Sequence, residues 1–428
     1  PRLLVLLSLL FNCCFSHSFL PLDMLKVLII PILKDKNGEH NVISNYRPIA
    51  LSTILSKVME VIMLNKCSGC FKTSDNQFSY KEKHGTDMAI ATLKNVTMEY
   101  NRRSTPIYAC FMDMSKAFDK VCHSYLFKIL AKRGVPHNII NMLSYWYSSQ
   151  EMSVRWGGSV SSAFKVSCGV KQGSILSPHL FNIYMDGLSE KLNKLKIGCV
   201  LNDHIVNHLL YADDIVLFCP SLSGLQTLVN ECSMYISSHK LKLNETKTKC
   251  IVFSSDVRKT KPNAEVKINS VAIEFVDKIK YLGFTLTSNK DNIQTTNLYR
   301  QLCVRSNMLL RNFSKCSNDV KSLLFQSYCT SFYCISLILN VRASDMKKLK
   351  VCYNNCIRRL YGLGRQCSIS QICLQNGFPT FSEIRRKAIV SLLFRLKASN
   401  NVIIKSLLHV NSFYCSYMFS VWKPLAFV

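Results

Sequence analysis

Three aspartates carry the chemistry this sequence can do. Asp213 and Asp214 stand side by side inside the apolar run HLLYADDIVLF, and Asp113 closes the run Tyr108-Ala109-Cys110-Phe111-Met112. Adjacent carboxylates within apolar sequence are expensive to bury unpaired, so a β-hairpin is expected, its tight turn carrying both to the tip. Alone, such a pair reads as an ordinary Asp-containing turn. A neighbouring strand that ends at Asp113 changes the reading. Three carboxylates at one sheet end repel unless divalent cations lie among them, and that donor set suits a two-metal site with ions about 3.5–4 Å apart. One ion would activate an attacking hydroxyl, and the other would hold a leaving phosphate.

The elements that must position these groups follow from the apolar pattern. Ile107 to Met112 and the two flanks of Leu209 to Phe218 read as strands, as do Val27 to Leu33, Phe164 to Val170, Lys249 to Phe253 and Val266 to Phe275. A polar loop, Lys34 to Asn45, precedes Tyr46-Arg47-Pro48-Ile49 and a helical pattern to about Leu64. Ser124 to Arg133 is amphipathic and ends at Gly134, a C′ position. Ser177 to Leu195 reads as a long helix, with Ser177 as N-cap and Pro178 in its first turn. Leu225, Leu228, Val229, Cys232 and Ile236 form a helix stripe. Beyond about Lys290 the pattern is mostly helical and basic. Strands alternating with helices and hairpins predict an α+β core with a helical appendage.

The 428 residues, 48% hydrophobic, supply a large core, which excludes disordered and collagen-like classes. The length alone suggests roughly three domains. A net charge of +28 and a pI near 9.5 point to a polyanionic partner. The 20 cysteines are scattered. Cys67-Ser68-Gly69-Cys70 is a C-x2-C pair, but neither His84 nor any second pair completes a zinc pattern. Buried free thiols in a reducing compartment are expected. Leu3 to Phe15 is apolar but too short to span a bilayer. With no small-x-small cleavage site after it, a buried helix is expected over a signal peptide. The chain starts at Pro1 and reads as a piece of a longer reading frame. Asn95, Asn244 and Asn312 head sequons that matter only in a secreted protein.

In their order, these segments resemble the reverse transcriptases of non-LTR (LINE-type) retrotransposons. Phe111 to Asp119 (FMDMSKAFD) is similar to that family's first carboxylate motif, and Ser167 to Pro178 (SCGVKQGSILSP) to its nucleotide-pocket motif. Tyr211-Ala212-Asp213-Asp214 resembles the catalytic hairpin, and Leu243 to Lys249 (LNETKTK) and Tyr281-Leu282-Gly283 resemble the two motifs after it. Upstream, Asn45 to Ile49 (NYRPI) and Gln77 to Lys81 (QFSYK) resemble its fingers motifs. The likeness runs from about residue 27 to 285, and the helical tail extends it to about 405. Ser79 departs from it: the family usually has Gly there, and a Cβ is expected to disturb a tight backbone approach.

The resemblance implies a right-hand polymerase of α+β class, with fingers, palm and thumb and a mostly helical C-terminal region. Residues 1–285 would be fingers and palm, the fingers mainly 1–105 and 122–165 and the palm mainly 106–121 and 166–285. Residues 286–428 would be the helical thumb and C-terminal region. The implied activity is RNA-directed DNA synthesis by two-metal nucleotidyl transfer onto a primer 3′-hydroxyl. Asp113, Asp213 and Asp214 would hold two Mg2+ ions, with Mn2+ as a substitute and the Met114 carbonyl as an added oxygen ligand. Lys34 and Arg47 would face the incoming triphosphate. Gln172, Gly173 and Ala212 would lie against the nucleotide, and Phe118 beneath its sugar. Lys247 would protonate the leaving pyrophosphate, and Tyr281-Leu282-Gly283 would form the primer-grip hairpin.

The clusters Lys347-Lys348-Leu349-Lys350 and Arg385-Arg386-Lys387 suit the backbone of a primer–template duplex. The implied partners are an RNA template, a DNA primer, deoxynucleoside triphosphates and nicked chromosomal DNA, with no membrane. The implied location is nucleus and cytoplasm, as a ribonucleoprotein. The family's endonuclease lies upstream, and no second acidic and histidine constellation occurs here, so that domain is expected outside this chain. Two other classes compete: an inactive or domesticated copy that binds nucleic acid, and an intron-maturase-like RNA-binding splicing factor. A maturase segment after the thumb would mark the latter, and none is identified.

Overall fold

The structure is a computed structural model that describes residues 2–35, 38–256, 264–287, 292–339, 341–409 and 417–426. Helix α1 (Arg2–His17) and the single turn α2 (Leu22–Leu25) lead into β1 (Lys26–Leu33), which returns as β2 (Tyr46–Ser52). Helices α3 (Ile54–Lys66) and α4 (Thr86–Arg102) precede β3 (Ile107–Met112). Next come α5 (His123–Lys132), α6 (His137–Ser149), β4 (Glu151–Trp156) and β5 (Ser159–Val160). Helix α7 (Ser177–Lys194) is followed by the short pair β6 (Cys199–Leu201) and β7 (His204–Val206). Then β8 (His208–Tyr211) and β9 (Asp214–Cys219) form a hairpin ahead of α8 (Leu222–Ser238) and β10 (Lys249–Phe253).

Two more hairpins follow, β11 (Val266–Ile268) with β12 (Val271–Ile273), and β13 (Lys278–Tyr281) with β14 (Phe284–Thr287). The rest is helical: α9 (Asn292–Phe313), α10 (Asn318–Cys329), α11 (Ala343–Leu360), α12 (Ile369–Gln375), α13 (Phe381–Lys397), α14 (Val402–His409) and α15 (Tyr417–Ala426). The fold is thus α+β with a helical C-terminal region.

The central sheet has the antiparallel order β10-β3-β9-β8. Side chains alternate across it, and both faces are covered. Ala109, Phe111, Leu209, Val216, Phe218 and Ile251 share a core with α4 and the C-terminal helices. Cys110, Met112, Leu210, Ile215, Leu217 and Cys250 share the other with α5, α7 and α8. Two-sided burial is why these strands read as nearly unbroken apolar runs. The second sheet, β2-β1-β4-β5, pairs β1 antiparallel with β2 and parallel with β4 around a small core of Val27, Ala50 and Met152.

Four expectations need correction. Phe164 to Val170 is no strand: Phe164 makes one isolated bridge to Met152, and the segment lies largely exposed, so alternation had no core to face. Val266 to Phe275 is broken into β11 and β12 because Asn269 and Ser270 take left-handed φ of 48° and 70°. Helix α7 begins at Ser177, so the N-cap is Leu176, which makes no side-chain cap, and Ser174 Oγ accepts from Ser177 N–H at 3.3 Å. Helix α1 forms, but only Phe11, Cys14 and Phe15 are buried, while Leu3, Leu4, Val5, Leu6 and Leu9 are exposed. Its last turns meet α6, where Asn138 Nδ2 donates to Phe15 O. Most described cysteines are buried, and all are unpaired. Among the described residues no helix is long and apolar enough to cross a membrane.

The C-terminal helices are fastened to the sheet's outer helix. Arg395 on α13 forks onto both Asp87 oxygens of α4, one contact measuring 2.9 Å. On α15, Trp422 is fully buried, and its Nε1–H donates to Ser336 O at 2.8 Å. Trp422→Ala should lower the unfolding free energy by about 3–5 kcal/mol, the usual cost of truncating a buried large aromatic. Denaturant unfolding monitored by circular dichroism checks this. A loss under about 1 kcal/mol would mean that α15 contributes little to the core.

Candidate active site

Strand β3 ends where Met112 pairs with Ile215, so the next residue, Asp113, stands level with Asp214. Across the hairpin Tyr211 pairs with Asp214, leaving Ala212 and Asp213 as a two-residue turn. Ala212 takes φ 54°, a left-handed conformation that costs a residue with a Cβ about 1–2 kcal/mol. Its N–H donates to Ser79 Oγ at 2.9 Å and to Gln77 Oε1 at 3.2 Å, which holds the turn. The Cβ of Ser79 therefore disturbs nothing here: residue 79 is fully buried and hydrogen-bonded.

Asp113 is clamped from the segment after α8. Its N–H donates to Thr248 Oγ1 (3.2 Å), and its C=O accepts from Asn244 N–H (2.8 Å). Thr248 Oγ1–H in turn donates to Asn244 O (2.8 Å). Ser115 N–H donates to Lys242 O (2.9 Å), so the Met114–Leu243 bridge uses the groups on either side of Met114 and not its own carbonyl. The backbone is fully engaged and the Asp113 carboxylate is not. Lys247, exposed on this segment, acts electrostatically on Asp113, as does Lys34 beyond the end of β1. Lys34 Nζ also donates to Ser44 O (2.8 Å). Arg47 on β2 acts on Asp213. The three predicted basic residues therefore act on the carboxylates from the turn before β10 and from the β1–β2 hairpin.

The segment Lys171 to Ser174 joins those sheets. Ala50 N–H on β2 donates to Gln172 O (2.6 Å), and Gln172 Nε2 donates to Asp119 Oδ1 (3.0 Å). Gly173 has φ 110°, and a Cβ there would sit 2.8 Å from Ala50 O, so glycine is required. Glu60 of α3, 1% exposed, accepts from Ser174 Oγ and Ile175 N–H, both at 2.7 Å, and pairs with Lys171 at 3.5 Å. Lys171 Nζ also lies 4.3 Å from the Trp146 ring centre. Phe118, half-buried at a single 3-10 turn, stacks on Phe181 with ring centres 4.4 Å apart. On the β13–β14 hairpin, Leu282 and Gly283 make the turn with φ 47° and 81°. Tyr333 hydroxyl donates to Leu282 O, and Tyr281 packs edge-on against Phe111 at 5.2 Å.

Sequence reasoning missed Glu60, Thr248 and the role of Ser79. A lone acid inside the apolar helix ILSKVMEVIML was a readable signal, because a buried charge demands a partner. Thr248, flanked by two lysines, offered none.

Desolvation raises the Asp113 carboxyl above its ordinary value, opposed by Lys247 and Lys34. Desolvation likewise raises Asp213, with Asp113 adding repulsion while its own backbone N–H and Arg47 oppose. Asp214 is pushed up to about 6 by desolvation, then by Asp213 and Asp113. Asp214 is exposed, so water damps this repulsion. Three hard oxygen donors that discourage one another's ionisation fit divalent cations such as Mg2+. Among the described residues no three His, Cys, Asp or Glu side chains are gathered tightly enough to hold an ion as they stand. The carboxylates thus sense one another without forming a closed ligand set.

An antiparallel sheet presenting carboxylates at its end, with basic residues acting on them from a second sheet, is an arrangement that suits two-metal nucleotidyl transfer. The chain belongs to the reverse transcriptase (RNA-dependent DNA polymerase) family, which matches residues 33–286. That family uses divalent metal ions. The chain is 25% identical over 373 residues to the RNA-directed DNA polymerase from mobile element jockey of Drosophila melanogaster, covering 83% of this chain and 40% of that one. It is 27% identical over 250 residues to the Pol polyprotein from type-2 retrotransposable element R2DM of the same species, covering 57% of this chain and 24% of that one. It thus spans well under half the length of either relative. Apo telomerase from Candida tropicalis aligns with a TM-score of 0.46 at 12% identity, over 100% of this chain and 72% of that one.

The raised Asp214 carboxyl has a sign. The folded protein binds that proton more tightly than the unfolded chain, so protonation favours the fold. The gain is fully present below the ordinary value of 3.8 and is lost as pH rises through about 6. With divalent cations chelated, the wild-type melting temperature should gain more between pH 7 and pH 5 than that of Asp214→Asn. Parallel curves for the two proteins would show that the carboxyl is unstrained.

Proposed function

We propose that this chain is the polymerase portion of a non-LTR retrotransposon protein, an RNA-directed DNA polymerase that extends a primer 3′-hydroxyl. The observation that carries the reading is the β3–β9 register. It levels Asp113 with Asp214, beside the Ala212–Asp213 turn, where Lys34 and Lys247 act on Asp113 and Arg47 acts on Asp213. Residues 1–105 and 122–165 act mainly as fingers, 106–121 and 166–285 as palm, and 286–428 as thumb and C-terminal region. The names of the curated relatives support the activity.

Asp113, Asp213 and Asp214 would hold two Mg2+ ions, or Mn2+, with the Met114 carbonyl as a further oxygen donor. When bound, such ions supply hydroxyl activation and charge neutralisation at the phosphates. The chain's own side chains do the rest. Lys34 and Arg47 bind the triphosphate as fixed cations. Gln172, held by Ala50 and Asp119, and Gly173, which lacks a side chain, let the backbone approach the nucleotide, and Ala212 does the same from the turn. Lys247, exposed and acting on Asp113, would give its proton to the departing pyrophosphate. Phe118, backed by Phe181, places a ring under the sugar, where a 2′-hydroxyl would collide.

The charge of +28 supports an RNA template and DNA primer as partners. Residues Lys347, Lys348, Lys350, Arg385, Arg386 and Lys387 contribute to that surface, and nicked chromosomal DNA would supply the primer. A ribonucleoprotein moving between cytoplasm and nucleus follows from those partners.

Primer extension on homopolymer RNA with Mg2+ tests the reading. Asp213→Asn should cut extension by roughly three or more orders of magnitude with duplex affinity nearly unchanged. Near-normal extension by that variant would make the hairpin structural and leave a nucleic-acid-binding protein. Sugar choice offers a second measurement, since apolar packing alone rejects a hydroxyl only about 10²-fold and a rigid ring does more. Phe118→Ala should raise ribonucleotide over deoxynucleotide kcat/KM by about 10²-fold. An unchanged ratio with lowered stability would return Phe118 to the core.

A further inference from the structure

Ser79 stands on a segment that runs beside β8. Phe78 N–H donates to Leu210 O and Leu210 N–H donates to Asn76 O, each at 2.8 Å. The Ser79 hydroxyl oxygen is 2.9 Å from Ala212 N, 2.9 Å from Gln77 Oε1 and 3.1 Å from Asn182 Oδ1 of α7. A hydroxyl has one proton and two lone pairs. Ala212 N–H takes a lone pair, so the proton goes to an amide oxygen. Gln77 Oε1 already accepts from Ser79 N–H (3.1 Å) and Ala212 N–H (3.2 Å). Asn182 Oδ1 has the free capacity, and its orientation is fixed because Asn182 Nδ2 donates to Ser79 O at 3.0 Å. All three side chains are buried, so no water substitutes for a lost partner.

We propose that Ser79 is a positioning residue for the catalytic turn, its hydroxyl tying the left-handed Ala212, and with it Asp213 and Asp214, to helix α7 through Asn182. The catalytic consequence rests on the polymerase reading; the structural one does not. A glycine at position 79 would leave Ala212 N–H with Gln77 Oε1 alone, at the longer of its two distances. The turn would then loosen and need re-ordering whenever a cation binds, which raises the cation concentration required.

Ser79→Ala removes the hydroxyl and keeps the Cβ. In the metal-free protein, hydrogen exchange at the Ala212 amide should quicken roughly five- to tenfold, with Val216 and Leu217 on β9 unchanged. In primer extension, the Mg2+ concentration for half-maximal rate should rise several-fold while the KM for nucleotide holds. Ser79→Gly must quicken the same amide at least as much. An unchanged Ala212 amide in either variant overturns the proposal. So does a uniform quickening along β8 and β9, which would make Ser79 a general stability residue. If the unaltered protein fails to extend primers, the polymerase reading falls, and the exchange result still decides the role of Ser79.

Discussion

Desolvation pushes the Asp113, Asp213 and Asp214 carboxyls toward their protonated forms, repulsion from its neighbours adds to this at Asp213 and Asp214, and a flexible chain would relieve that strain by separating them. Separation is prevented by backbone contacts. The β3–β9 ladder sets the register, Asn244 and Thr248 grip Asp113 at its N–H and C=O, and Ser79 and Gln77 grip the amide of Ala212. None of these bonds consumes a carboxylate oxygen. The site is held by its peptide groups, and its acid groups remain available. Lys34, Arg47 and Lys247 soften the repulsion from a distance without closing ion pairs on Asp113 or Asp213.

The second constraint is steric. The loop after β5 passes β2 at Gly173, where Ala50 O occupies the space of a side chain. The crossing makes one hydrogen bond to β2 through Gln172 O and one to Asp119 through Gln172 Nε2. Beneath it, the buried Glu60–Lys171 pair satisfies Ser174 and Ile175. Leaving either charge there without its partner would be strongly destabilising. Movement of the small sheet is therefore felt at Gln172 and Gly173 and at the first turn after Asp113 together.

Much of this was legible in the sequence, for a physical reason. Strands buried on both faces and carboxylates that interrupt them leave a strong local pattern, so the Asp113 strand and the Asp213–Asp214 hairpin stand out. The helix stripe from Leu225 to Ile236 and the Gly134 stop are legible on the same grounds. The failures lie where tertiary contact decides. Phe164 to Val170 has strand composition without a core to cover. Val266 to Phe275 has an apolar pattern that two left-handed residues break. Ser79 looked like an intrusion because composition cannot show that Gln77, Asn182 and Ala212 surround it with hydrogen-bonding groups. Leu3 to Leu9 looked like core because hydrophobicity does not say what is available to cover it.

The sheet's outer face has a consequence for how this protein can be divided or recombined. Phe111 and Val216, just behind the acidic end, and Phe218 farther along β9 belong to the same continuous core as Tyr353, Phe381, Leu392 and Trp422 of the C-terminal helices. A boundary drawn after β14, where the family match ends, is not a boundary of folding. A fragment cut there would keep every acidic residue of the site and lose the wall behind the strand that carries Asp113. Exchange of the C-terminal helices between related chains must therefore preserve the shape of that buried seam, however freely their outer surface changes.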